Sequence, residues 1–346
     1  MRRFTMILLL AILLIRPVSA MEFTAPAVPE KAEEYMPADP QSFGEGLWYV
    51  IKAGIAKLRP DLAEAAEVCM GLIGIVLLVS IVQNFNGSPQ RITEIVAILV
   101  IAALLLKSSN TLIRLGMQTV SELSEYGKLL LPVMGAAMAA QGGVATSTAL
   151  YTGTAFFNAV LTTAVSKLIV PMLYCYLCLC IANNTVGEEV LKNLRSFVKW
   201  LMTWSLKIVL YVFTGYMGVT GVVSGTADAA AVKATKLTIS GVVPVVGGII
   251  ADASEAILVS AGVMKSAAGI YGILATAAIF VGPFLKIGVQ YLLLKITAAV
   301  CGIFGCKRPV EMIRDFTSVM GFLLAMVGTV CLLLLISTVC FMKEVG

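Results

Sequence analysis

Histidine does not occur anywhere in the 346 residues. Its absence removes Ser-His-Asp and Cys-His catalysis, histidine-ligated zinc and haem, and any histidine pH switch. No GxxxxGKS/T phosphate loop is present, so the chain lacks that means of burning ATP. Charge is scarce. Only 13% of residues are Asp, Glu, Lys or Arg, against about 25% in soluble proteins. No cysteine precedes Cys69, so the polar N-terminal part shows no disulfide framework. No paired carboxylates in a hydrolytic arrangement are evident, and the residues imply neither cofactor nor metal.

What fills the chain is apolar. Hydrophobic residues make up 59% of it, and mean hydropathy is +0.95. A folded soluble domain of this size leaves roughly a quarter of its unfolded surface exposed, too much to hide such a composition from water. The expected fold is therefore all-α, a polytopic transmembrane helical bundle whose main solvent is the lipid bilayer. The net charge of +5 matches short basic loops under the positive-inside rule and calls for no nucleic acid. Most of the eight cysteines lie inside apolar runs, as in Cys175, Cys178, Cys180, Cys331 and Cys340. Packing is the first reading for these and a metal or redox role the second.

Residues 1–20 read as a signal peptide: Arg2 and Arg3, an apolar stretch from Phe4 to Ile15, then Val18-Ser19-Ala20 before a cut at Met21. Arg16, so close to the cut, keeps an uncleaved anchor open. Residues 21–66 form the extracytoplasmic polar segment. Pro26, Pro29, Pro37 and Pro40 with Glu30, Glu33 and Glu34 predict extended chain. An amphipathic surface helix follows over 43–66, anchored by Trp48 and Tyr49. The membrane domain covers 67–341. Its apolar runs are 67–83, 92–106, 129–147, 149–166, 168–182, 200–223, 241–262, 268–285, 287–304 and 318–341. Several fall short of the ~20 residues of a full span, so half-spans or re-entrant helices are expected among them. Arg91, then Lys192, Arg195 and Lys199, then Lys307, Arg308 and Arg314 mark three cationic loops expected on one side. The segment 107–128, with Lys107, Arg114, Glu122, Glu125 and Lys128 at helical spacing, is expected along the outer interface.

The prolines suggest an internal duplication. Pro132 and Pro171 are 39 residues apart, as are Pro244 and Pro283, and the pairs are offset by 112. Pro132-Val133-Met134-Gly135 matches Pro244-Val245-Val246-Gly247. Two parallel repeats, 92–199 and 200–315, are one reading. Coincidence in a biased composition is the other.

The stretch 240–255, SGVVPVVGGIIADASE, is the most informative. Pro244 removes a backbone donor, and Gly247 and Gly248 loosen the helix. Asp252 and Glu255 then share one helix face at i, i+3. This reads either as a broken helix beside a polar pathway, with Pro132 and Gly135 as its counterpart, or as a helix ending in water at the interface. Lys167, Lys207, Lys286 and Lys295 lie in or beside apolar runs, where snorkelling competes with a functional role.

The stretch SGVVPVVGGIIADASEAI, residues 240–257, resembles the stage III sporulation protein AE family of endospore-forming bacteria. The order of features is similar too, and the resemblance covers most of residues 45–341. It implies a multi-pass protein of the mother-cell membrane surrounding the forespore. It also implies a non-enzymatic subunit of a secretion-like channel complex between the two cells. The implied partners are other membrane proteins of the stage III sporulation operon, including a secretion-type ATPase and ring-forming subunits. The resemblance carries no catalytic residues. The alternative is a stand-alone permease with a site at broken helices near Pro132 and Pro244.

Overall fold

The computed structural model describes residues 26–37, 43–84, 90–140, 144–219 and 267–344. Two short helices come first, α1 (Glu30–Glu33) and α2 (Phe43–Lys57). The long ones are α3 (Arg59–Asn84), α4 (Gln90–Ala140), α5 (Val144–Ala164), α6 (Val170–Val186), α7 (Glu189–Val219), α8 (Ala267–Gly302) and α9 (Lys307–Glu344). A π-helical turn, Val165–Ile169, joins α5 to α6 without a break. Among the described residues, six stretches are long and apolar enough to cross a membrane: α3, α4, α5 with α6, α7, α8 and α9. The chain is an all-α polytopic membrane bundle.

Neighbouring apolar runs merge into single helices. The runs from 92 and from 129, with the polar segment 107–128 between them, belong to one 51-residue helix, α4. The polar segment is helical, as its spacing implied, but it is helix interior and not a separate surface element. Its inward hydroxyls are satisfied locally: Thr119 donates to the Leu115 carbonyl at 2.9 Å, and Ser124 accepts from Thr162 at 3.1 Å. Its outward amides and hydroxyls pair along the helix, Gln118 with Glu122 at 2.8 Å and Ser121 with Glu125 at 3.2 Å. The runs 268–285 and 287–304 likewise merge in α8, which continues through Pro283. The π turn stands just before Pro171, where the helical ladder lacks an N–H. The boundary expected at residue 66 falls inside α3.

One helix forms the axis. In α9, 94% of the most apolar window is buried inside the protein, against 22% for α7. Helices α4, α5, α6, α7 and α8 all pack around it. Thr329, Ser337 and Thr338 are buried there because each hydroxyl bonds a carbonyl one turn back, at 2.7 to 2.8 Å. Glycines let α4 lie against this axis. Gly116 faces Leu323 and Met326, and Gly127 faces Leu334. The matching order of these contacts shows that α4 and α9 run parallel. Helix α8 runs against them, with Gly272 beside Leu130 and Gly269 beside Met342.

Turns close the bundle where glycine permits. Gly187 ends α6 at φ +80°, donating to the Asn183 carbonyl at 2.8 Å. Gly305 takes φ +79° between α8 and α9. Arg308 approaches Glu94 at 3.9 Å and stands beside Gly187. Arg195 meets Glu311 and Asp315. All three cationic loops therefore stand at one end of the bundle, called the basic end below.

Candidate functional site

Pro244, Gly247, Gly248, Asp252 and Glu255 lie outside the described residues, as does the signal-peptide region 1–20. Of the suspected proline duplication, Pro132, Pro171 and Pro283 are described. Pro132 is inside α4, exposed, and the helix continues past it. Gly135 lies one turn on, where Ser147 of α5 donates to its carbonyl at 2.6 Å. That bond ties α4 to α5 at Gly135, and α4 runs on through Pro132.

The described residues place polar chemistry elsewhere, at mid-height. Asp61, in the first turn of α3, meets Lys286 of α8 at 2.5 Å, both partly buried. Lys286 follows Pro283 by one turn. A cavity of about 190 Å³ opens on one side of this pair, lined by Lys31, Tyr35, Gln118, Glu122 and Pro283 among others. A smaller one of about 40 Å³ lies on the other side, against Glu64, Ser108, Thr111 and Gln290. The ion pair lines both cavities and separates them. Gln290 is 5% exposed, and its Nε2 has no partner among the described residues. A buried amide without a partner is costly, and the small cavity is roomy enough for one water.

Helix α1 and the turn that follows it roof the larger cavity through Lys31, Ala32 and Tyr35. Tyr35 packs over Gly282, and Gly54 of α2 seats against Val281 and Leu285. Lys57 binds Glu34 and lies over the Tyr35 ring at 4.7 Å. The bond to Glu34 holds the Lys57 amine above its ordinary pKa, so it stays charged.

A second polar group sits at the basic end. Arg195 Nη1 donates to Asp315 Oδ2 at 2.6 Å, Arg195 Nη2 to Glu311 at 3.2 Å, and Asn184 Nδ2 to the same Asp315 oxygen at 2.8 Å. Asp315 is 7% exposed. This network ties α6, α7 and α9 together with every charge paired, which makes it a clamp and not a reactive centre. In the adjoining turn, burial and then Glu94 push the Cys306 thiol above its usual range. It is therefore a neutral packing group. No group of three Cys, Asp or Glu able to hold a metal occurs among the described residues.

Sequence reasoning met Lys286 and Lys295 as lysines in or beside apolar runs, open to snorkelling or to a functional role, and named no partner for either. Lys295 folds its ammonium over the Tyr291 ring at 5.7 Å, one turn away from the basic end. The Asp61–Lys286 pair joins residues 225 positions apart, and such a pair leaves no periodic signal in one sequence. The polar spacing over 107–128 was the one available clue, since Gln118 and Glu122 line the larger cavity.

The family model described as stage III sporulation protein AE matches residues 44–344. Stage III sporulation protein AE of Bacillus subtilis (strain 168) is 18% identical over 226 residues, which is 65% of this chain and 57% of that protein. The match thus spans little more than half the length of that relative. No solved structure matches.

Proposed function

The chain belongs to the stage III sporulation protein AE family, and from that premise we propose that it is a non-enzymatic membrane subunit of a secretion-like channel complex. That complex joins the mother cell to the forespore, and this chain sits in the mother-cell membrane around the forespore. Its partners are other stage III sporulation proteins, including a secretion-type ATPase and ring-forming subunits. The ATPase supplies energy, which agrees with the lack of a phosphate loop here. The family match over residues 44–344 carries the reading. The filled axis supports a platform role: among the described residues α9 occupies the centre of the bundle, which suits a subunit that gives structure to a conduit.

The experiment is an affinity pull-down at native expression from detergent-solubilised membranes of sporulating cells, read by mass spectrometry. Recovery of the ATPase and ring proteins with this chain is expected. A second reading, a stand-alone permease, draws on the charged cavity beside Pro283. Recovery of this chain alone, under conditions that keep other complexes intact, favours the permease.

A further inference from the structure

The bundle is too long for one bilayer. At 1.5 Å per residue, the 51 residues of α4 make a rod about 77 Å long, against about 30 Å of hydrocarbon. Part of it must stand outside, and the lysines mark which part. Asp61 and Lys286 meet beside Ser108 and Thr111, so Lys107 stands at the height of that pair. Tyr174 of α6 donates to Asn110 of α4 at 2.8 Å. Lys167 lies on the π turn, two turns further from the basic end. Arg195 and Lys199 meet Asp315 and Ser318 in step, which carries Lys207 to the level of Met326, the residue Gly116 faces. Four lysines on four different helices thus fall in a band of about three turns.

On the basic side of that band, 17-residue α6 is about 26 Å long, close to the hydrocarbon thickness. Exposed apolar side chains are frequent there, among them Met70, Leu78, Leu99, Leu194, Phe197 and Trp200, beside exposed Glu64, Glu67 and Lys295. On the far side, α4 exposes Gln118, Ser121, Glu125 and Lys128 along one face, while Leu129, Phe156 and Tyr211 are exposed at other positions there. An ionised side chain at mid-bilayer is costly, and this face carries two, Glu125 and Lys128.

We propose that the bilayer holds only the half of the bundle nearest the basic loops, with its outer headgroup layer at the collar of Lys107, Lys167, Lys207 and Lys286, and that the distal half stands in water on the outer side. The distal half holds 21-residue α5, so it rises about 31 Å above the collar. Amphipathic α2, with Trp48 and Tyr49 exposed, lies at the collar because it packs on α8 at Val281 and Leu285. The π turn is the junction between an α6 that sits in lipid and an α5 that does not. This placement rests on helix lengths and contacts and does not depend on the family role.

Thiol labelling tests it on the full chain in right-side-out membrane vesicles, with Cys175 and Cys178, the exposed native cysteines, replaced by serine. Single cysteines go in at Gln118, Glu125, Thr152 and Thr214, which face outward on α4, α5 and α7, and at Leu99 and Leu194 near the basic end. A membrane-impermeant maleimide should label all four distal positions at least about tenfold faster than the two proximal ones, because a thiol reacts only where water lets it ionise. Labelling after denaturation confirms that each thiol is present. Rapid labelling at 118 and 125 with protection at 152 and 214 overturns the proposal, since lipid would then surround the distal half and water would touch α4 alone. Protection at all four, or labelling only from the inner side, overturns it too. None of these outcomes alters the pull-down result, so the two readings fail separately.

Discussion

Replacing Asp315 with leucine should open the clamp at the basic end. The carboxylate is 7% exposed and accepts from both Arg195 and Asn184. Its removal leaves the Arg195 guanidinium, itself 12% exposed, without its nearest partner. Breaking a buried ion pair costs about 3–5 kcal/mol. An effective dielectric of about 20 gives a similar figure, about 4 kcal/mol for unit charges 4 Å apart. Arg195 still keeps Glu311, but that carboxylate is 51% exposed and screened by water, so the expected loss is about 2–4 kcal/mol. Arg195→Met should cost about as much, because it strands Asp315 with only the Asn184 amide. The double variant Arg195→Met/Asp315→Leu should return to within about 1 kcal/mol of the parent, since an apolar replacement of a whole buried pair is close to neutral. The assay is chemical unfolding in detergent with a thiol-reactive dye, in the background lacking Cys175 and Cys178. Buried Cys331 and Cys340 then report opening of the bundle. Single variants that each cost under about 1 kcal/mol, or a double variant that costs the sum of the singles, would refute the clamp.

Two further outcomes use the same assay. Gly127→Val places methyl groups where Leu334 and Asn158 already stand, so it should destabilise by about 1–3 kcal/mol, whereas Gly71→Ala, in open space on α3, should change little. Gln290→Leu removes a buried amide nitrogen that has no partner among the described residues. It should leave stability unchanged or raise it by up to about 1–3 kcal/mol, and a clear loss would mean that the amide is held by a partner.

The membrane class was legible because so few charges cannot clothe a soluble protein of this size. The cationic loops were legible as clusters, and the structure brings them to one end through Arg195–Asp315 and Arg308–Glu94. Helix continuity was not legible. A polar stretch between apolar runs reads as a surface segment, yet Thr119 and Ser124 face inward and bond within the bundle, so packing carries the helix through. Prolines mislead in the same way. Pro132 and Pro283 cost one backbone bond each, and the packing of α4 and α8 against α9 absorbs the loss. The mid-height cavity depends on Asp61 meeting Lys286, and only the folded chain shows it.

The position of α9 bears on how the molecule is made. The helix that fills the centre leaves the ribosome after every helix that surrounds it. Those earlier segments enter the bilayer with their inner faces still unmatched, held by lipid, by one another or by insertion factors. Completion is a late event, in which the bundle closes around the newly delivered α9. A stop codon just upstream of Lys307 would remove a helix that touches five other long helices, leaving a ring with nothing to grip.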